Sequence, residues 1–264
     1  TCDYYYSSNA PGVWYSTVGT GNALVASTCS SSLNFESSIY VFSGECGALE
    51  CVAFSLSSSN ACGESVYGGS RVTFRTELGA QYYILVTASY SLSAGNFGLS
   101  LAETIPPPND VCSDSIEITP NSGVIVGSLT NATSFFGSNY TCAYDSSSLS
   151  VWYSVIGTGE VLVISTCSSQ LNFDSAISVS TGSCDDHICV TSNAYSSGSC
   201  PEASYSVARV TIRTEVGVEY FIAVEGQNYP SLGDFGLIVS TLRVPGNDES
   251  PGAILIDPSA GSVS

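Results

Sequence analysis

Few residues of this 264-residue chain could carry catalytic chemistry. The chain has one histidine, His187, between Cys184 and Cys189, and a Ser-His-Asp or Cys-His site would have to be built around it. A related stretch earlier in the chain has Leu49 at this position, and a turn between two cysteines is typical of a solvated loop. We therefore expect no catalytic residue and no enzymatic activity.

Acidic side chains are abundant but scattered. Asp185 and Asp186 precede the histidine and are weak calcium candidates, because carboxylate oxygens suit calcium. No stretch has the dense acidic spacing of an EF-hand loop, and acidic residues also keep a surface soluble. We therefore expect no metal and no other cofactor.

Charge and hydropathy exclude two classes of partner. The net charge of −18 would be repelled by phosphates, which excludes nucleic acid. The longest apolar runs, such as residues 253–256, are far shorter than the roughly 20 residues of a membrane-spanning helix.

Cysteine usage indicates the compartment. The chain has 11 cysteines and no zinc-type CxxC pair, which predicts disulfides and an extracellular, secreted or cell-surface location. It begins Thr1-Cys2-Asp3, with neither methionine nor an apolar signal segment, as expected for a processed chain or for part of a longer one.

Two sequons predict N-linked glycans at Asn131 and Asn139. The many serines and threonines, with the proline run at 106–108, also permit O-linked sugars, including sugars on hydroxylated proline. An equal alternative is that serine and threonine are simply good surface residues of strands.

The sequence repeats with an offset of 138 residues. Trp14-Tyr15-Ser16 recurs as Trp152-Tyr153-Ser154, and the offset is constant from Trp14 to Leu101. We call residues 14–101 and 152–239 the first and second repeats. Arg71, Arg75 and Glu77 recur as Arg209, Arg213 and Glu215, and we expect structural ion pairs from them.

The pattern within each repeat is that of strands. Residues 71–77, 83–86 and 174–179 alternate or form short apolar runs between Gly, Ser and Asn clusters. We predict an all-β fold of two tandem antiparallel β-sandwich domains, Ig-like or jelly-roll, plus an extended C-terminal donor strand. The predicted units are residues 1–105, a proline linker at 106–108, residues 109–244 and a tail at 245–264.

The tail repeats the segment that opens the second unit. Asn109-Asp110, Ile116 and Ile118 reappear 138 residues later as Asn247-Asp248, Ile254 and Ile256. The chain is two periods of 138 residues less twelve, the absent twelve corresponding to residues 127–138. We expect the first unit to lack its opening strand and to expose an apolar edge. The predicted donor-strand residues are Ile254, Leu255, Ile256 and Val263.

A donor strand at one end and an incomplete unit at the other predict a head-to-tail homopolymer. Two alternatives remain open at this point. The tail could close on its own first unit or lie disordered, or the chain could be one period of a longer repetitive polypeptide.

Strand direction suggests the disulfides, although six cysteines allow about fifteen pairings. Cys46 and Cys51 flank one tight turn, whereas Cys29 and Cys62 lie at the opposite rim. We predict the pairs Cys29–Cys62, Cys46–Cys51, Cys112–Cys142, Cys167–Cys200 and Cys184–Cys189, with Cys2 unpaired because position 250, which corresponds to Cys112, is serine.

These motifs resemble a known type of repeat. The pattern is Asn109-Asp110-x-Cys112, Val151-Trp152-Tyr153, Ser165-Thr166-Cys167, Ser180-Thr181-Gly182-x-Cys184 and Gly233-x-Phe235-Gly236-Leu237. It is similar to the tandem β-sandwich repeats of secreted proteins related to the bacterial pre-peptidase C-terminal domain. The duplicated arrangement also resembles the subunits of glycosylated helical filaments from environmental fresh water.

The resemblance and the repeat phase together predict a structural subunit of an extracellular glycoprotein filament. The alternative is a tandem adhesion or carbohydrate-binding ectodomain of a larger surface protein, with exposed tyrosines as a sugar platform.

Overall fold

The structure is a computed structural model that describes residues 10–57, 62, 68–89, 94–134, 142, 148–194, 200, 205–227 and 232–243. In these ranges the chain is all-β, with one 3₁₀ turn at Cys112–Asp114 and no α-helix. Among these residues there is no helix with the length and apolar character needed to span a membrane.

The first part of the chain forms two sheets. Its strands are β1 (Gly12–Val18), β2 (Ala23–Ser27), β3 (Ser37–Glu45), β4 (Ala48–Ser55), β5 (Arg71–Arg75), β6 (Gln81–Ala88) and β7 (Ser100–Thr104). One sheet has the order β1-β6-β3-β4 and the other the order β5-β2-β7.

The second part repeats this arrangement and adds two strands. Its strands are β8 (Ile116–Glu117), β9 (Val124–Ser128), β10 (Ser150–Ile156), β11 (Val161–Ser165), β12 (Ser175–Ser183), β13 (Asp186–Ala194), β14 (Arg209–Arg213), β15 (Glu219–Gly226) and β16 (Asp234–Leu242). The sheet orders are β13-β12-β15-β10-β8 and β14-β11-β16-β9.

Alternation of side chains places the cores between the sheets. In β5, Val72 and Phe74 are buried while Arg71 and Arg75 lie at the other face, as period-2 alternation requires. The first part has one main apolar cluster that spans residues 24–86, and the second part has a larger one that spans residues 118–239. Each pair of sheets thus encloses its own core.

The two parts share their irregularities as well as their strands. The β3–β4 ladder shifts register between Val41 and Phe42, and the β12–β13 ladder shifts at the equivalent Val179 and Ser180. A bulge at the same place in both copies indicates that the repeat in sequence is a repeat in backbone geometry.

The two added strands both belong to the segment that opens the second part, residues 109–128, which we call the opening segment. β8 pairs with β10 in parallel, through Tyr153 opposite Ile116, whereas we had expected antiparallel pairing throughout. A turn with positive φ at Asn121 and Gly123 then reverses the chain into β9, which pairs antiparallel with β16. One continuous segment therefore adds a strand to each of the two sheets.

Candidate functional site

The side chains of β1 are exposed where their repeat counterparts are buried. Val13, Trp14 and Tyr15 are 47%, 50% and 40% exposed. The equivalent Val151, Trp152 and Tyr153 of β10 are 1%, 0% and 2% exposed. The two strands have the same sequence pattern, and each pairs on one side with an equivalent strand, β6 or β15. The difference in exposure must therefore come from the other side of each strand.

The opening segment covers that side of β10. Trp152 donates its backbone N–H to the carbonyl of Asn109 over 2.8 Å, and the Asn109 side-chain amide donates to the Trp152 carbonyl over 2.8 Å. Ile118 donates its N–H to the Ser154 carbonyl over 2.7 Å, and its side chain enters the core. Cys112 packs on Trp152. Burial also raises the pKa of the Tyr153 hydroxyl.

The second sheet shows the same contrast. Asn121 of the opening segment donates its backbone N–H to the Val239 carbonyl over 2.8 Å, and Val239 is 2% exposed. The equivalent residue of β7, Leu101, is 40% exposed. Four of the five residues of β7 are exposed, whereas four of the nine residues of β16 are buried and only two are exposed.

We call the outer sides of β1 and β7 the open edges. β1 pairs with β6 and β7 pairs with β2, but within the described residues no strand pairs with either open edge. Unpaired strand edges with apolar side chains are templates for another strand. The open edges are therefore the candidate functional site, and the chemistry they offer is main-chain hydrogen bonding combined with apolar burial.

Aromatic rings form a patch along β1. Trp14 packs against Phe42 with ring centroids 5.5 Å apart, and Tyr15 contacts Phe97 edge-on at 6.3 Å. In the second part Trp152 instead stacks on His187 at 5.2 Å. The patch in the first part is thus both more apolar and more exposed.

The disulfides differ in part from the prediction. The structure contains Cys29–Cys62 and Cys167–Cys200, and it also contains Cys112–Cys184 and Cys142–Cys189. The predicted pairs Cys112–Cys142 and Cys184–Cys189 are wrong. The reason is that the opening segment places Cys112 beside the tip of the β12–β13 hairpin, where the Cα atoms of Cys112 and Cys184 are 5.5 Å apart.

The predicted pair Cys46–Cys51 is also wrong, and Cys46 is a free, exposed cysteine. Cys46 lies at the tip of the β3–β4 hairpin, whereas Cys51 is opposite Phe42, three residue pairs down the ladder. That separation is roughly 10 Å, beyond the roughly 7 Å that a disulfide can bridge. Cys51 is itself disulfide-bonded. Cys2, predicted to be unpaired, lies outside the described residues.

A buried carboxylate joins the two parts of the chain. Asp110 accepts hydrogen bonds from the Thr133 N–H at 2.6 Å and the Thr133 hydroxyl at 2.7 Å, and it pairs with the Arg75 Nε at 2.9 Å. Sequence reasoning expected ion pairs from Arg75 but missed this partner. The recurrence of Asn109-Asp110 as Asn247-Asp248, beside the recurrence of Arg75 as Arg213, was the available signal.

The predicted calcium candidates and histidine share one turn. Asp185 and Asp186 are exposed, and the described residues contain no group of three or more possible metal ligands. His187 is packed between Trp152 and Phe221, with its Nδ1 2.9 Å from the Ser180 hydroxyl. Burial lowers the pKa of His187, against an opposing effect of the two aspartates. This histidine packs in an apolar cluster.

The remaining predicted site residues are placed only in part. Asn131 is half-buried in a left-handed conformation, and its side-chain oxygen accepts a hydrogen bond from Arg71 over 3.1 Å. Asn139 lies outside the described residues, as do the predicted donor-strand residues Ile254, Leu255, Ile256 and Val263.

No family model and no curated protein matches the chain. Among solved structures, an uncharacterised protein from Burkholderia cenocepacia aligns with 87% of this chain and 76% of its own, at 8% identity and a TM-score of 0.30. The N-terminal tandem CBM22 domains of Xyn10C from Paenibacillus barcinonensis align with 85% of this chain and 80% of their own, at 10% identity and a TM-score of 0.24. Both scores are too low to bear on function.

Proposed function

We propose that this protein is a structural subunit of an extracellular glycoprotein filament. Its two units, residues 1–105 and 109–244, act as tandem β-sandwich domains. Each subunit donates its C-terminal tail, residues 245–264, to the open edges of the next subunit. The observation that carries the proposal is the exposure of Trp14 in β1 against the complete burial of Trp152 in β10.

The tail has the residues that this role needs. Ile118 is 5% exposed in the core of the second part, and Ile256 stands at the equivalent position. Ile125 packs against the same core, and its equivalent is Val263. Glu117, by contrast, is exposed, and its equivalent is Leu255. The tail is thus suited to cover the open edges as the opening segment covers β10 and β16.

Docking of the tail at the open edges is expected to gain free energy from two sources. Burying a fully exposed large apolar side chain contributes about 1.5–3 kcal/mol, and Val13, Trp14, Tyr15 and Leu101, which are 40–50% exposed, would each contribute about half of that. Each main-chain hydrogen bond along a strand adds about 0.5–1.5 kcal/mol. These gains act against the entropy lost when the two molecules associate.

The geometry of such a contact is directional. The donor and the acceptor are different surfaces of the same chain, so the contact is heterologous. Heterologous contacts form a closed ring if the rotation between subunits closes, and an open filament if it does not. In this proposal the −18 charge and the sugars at Asn131 and Asn139 keep the filament surface solvated, with O-linked sugars as a further contribution.

The disulfides support the extracellular location that the proposal assumes. Four disulfides are present among the described residues, and disulfides persist in oxidising environments. They link segments that are 33 to 72 residues apart in the sequence, which restricts the unfolded chain and stabilises the fold.

The test is a pair of substitutions at adjacent tail positions. Ile256→Asp would place a carboxylate at the position equivalent to the buried Ile118, and burying an unpaired charge costs several kcal/mol. This variant should form no filaments in electron micrographs and should sediment as a monomer. Leu255→Asp is the matched control, because its equivalent Glu117 is exposed, and should still assemble.

Two results would contradict the proposal. One is unchanged assembly of the Ile256→Asp protein. The other is a wild-type protein that remains monomeric at high concentration, with its tail closed on its own first unit.

A further inference from the structure

The free cysteine of the first part indicates one position of the acceptor surface, by which we mean the open edges and the side chains around Trp14. Cys46 is exposed at the hairpin tip between β3 and β4. A hydrogen bond with this thiol raises the pKa of the Tyr83 hydroxyl. The equivalent of Cys46 is Cys184, which is bonded to Cys112 of the opening segment. In the second part, this hairpin tip is therefore held against the opening segment.

The repeat fixes what would stand opposite Cys46. Position 250 of the tail corresponds to Cys112 and is serine. In the second part, Ile116 is opposite Tyr153 and Glu117 is opposite Ser154, in parallel pairing. The equivalent pairs are Ile254 with Tyr15 and Leu255 with Ser16.

We propose, on the basis of the function proposed above, that the tail of a second copy docks in this one register. The tail runs parallel to β1, with Ser250 against the Cys46 thiol and Ile254 opposite Tyr15. It then turns and pairs antiparallel with the segment that leads into β7, placing Val263 opposite Leu99, as Ile125 lies opposite Leu237. The contact that is a disulfide within the subunit, Cys112–Cys184, is thereby a non-covalent contact of Ser250 with Cys46 between subunits.

The composition of the acceptor surface supports a non-covalent joint. Around Trp152 the second part has Ser180 and His187, hydrogen-bonded to each other. At the equivalent positions the first part has Phe42 and Leu49, and Phe42 packs directly on Trp14. The first part, in which Cys46 is free, thus has apolar side chains at both positions, and apolar side chains favour burial under a docked tail.

The register is tested by restoring the missing cysteine in the full chain. Ser250→Cys, assembled and then mildly oxidised, should form a disulfide with Cys46 of the neighbouring copy and give a ladder of covalent multimers on a non-reducing gel. Peptide mass spectrometry should find residues 46 and 250 linked. The ladder should be lost in Ser250→Cys/Cys46→Ser.

Asp257→Cys is the register control, because it lies seven residues further along the tail, about 23 Å in an extended strand, and should give no ladder. In the wild-type protein, Cys46 should react with a maleimide in dissociated subunits and lose that reactivity in filaments.

The outcomes separate the register from the proposed function. Filaments of Ser250→Cys that give no ladder, or a ladder from Asp257→Cys, would overturn the register and leave strand donation standing. Equal maleimide labelling of Cys46 in subunits and filaments would also overturn the register. A disulfide between residues 46 and 250 within one monomer, without multimers, would overturn both proposals.

Discussion

At the scale of single residues, the two tryptophans occupy the same position of the repeat in opposite environments. Trp152 is fully buried beneath Cys112 and against His187, whereas Trp14 is half exposed beside Phe42. The side chains are identical, so the difference measures what the opening segment contributes. His187 is the residue of this cluster whose protonation can be controlled experimentally.

The burial of His187 predicts a pH dependence of stability. Its pKa is lowered in the folded state, mainly by desolvation, so below the ordinary value of about 6.5 the unfolded chain binds more protons than the folded one. Stability should therefore be complete above about pH 6.5 and should fall as the pH drops through that value.

His187→Leu isolates this effect, because leucine is the residue at the equivalent position 49 and the nearby Asp185 and Asp186 are unchanged. Melting temperatures at about pH 7.5 and about pH 5 should differ more for the wild-type protein than for the variant. Equal losses in the two proteins would show that the histidine is not responsible.

At the scale of elements, one segment completes two sheets. The opening segment adds β8 to the sheet of β10 and β9 to the sheet of β16, and the open edges of the first part are the places where these strands are absent within the described residues. A segment that pairs with both open edges need not be part of an intact subunit.

A synthetic peptide of residues 245–264 should therefore block assembly in trans. It would occupy the open edges, cap the growing end and shorten the filaments seen by electron microscopy. In a Trp152→Phe protein, which leaves Trp14 as the reporter, the same peptide should shift tryptophan fluorescence to shorter wavelength, because Trp14 leaves water. The peptide with Ile256→Asp is the control. A fluorescence shift of equal size from both peptides would count against specific docking.

The strands were predictable from the sequence because their signal is local. The alternation at residues 71–77 and the apolar run at 83–86 correspond to β5 and β6, and the segment that opens the second unit contains strands β8 and β9. Periodicity indicates which face of a strand is buried, and the same pattern in both repeats strengthened the prediction of strands.

The disulfide connectivity was not predictable to the same extent. Flanking a turn suggested the pairs of Cys46 with Cys51 and of Cys184 with Cys189, but the ladder register holds each pair too far apart. The partner of Cys184 depends on the parallel path of the opening segment, and neither spacing nor alternation specifies that path. The role of Asp110 was hidden for the same reason, since Arg75 and Thr133 are distant in sequence.

At the scale of the whole molecule, the contact at Asp110 joins the first part of the chain to the second. The carboxylate is buried, binds Thr133 of the second part and pairs with Arg75 of the first. Arg213 of the second repeat and Asp248 of the tail stand at the equivalent positions. In the proposed filament the junction between subunits therefore uses the same residue types as the junction within a subunit, and all units follow one another in a similar way.

The most direct test is a cryo-electron microscopy reconstruction of the assembled protein. The account predicts density for an extra strand parallel to β1 and another antiparallel to β7, both continuous with strand β16 of the preceding subunit. Open edges left bare in the filament, or filled by residues of the same chain, would contradict it.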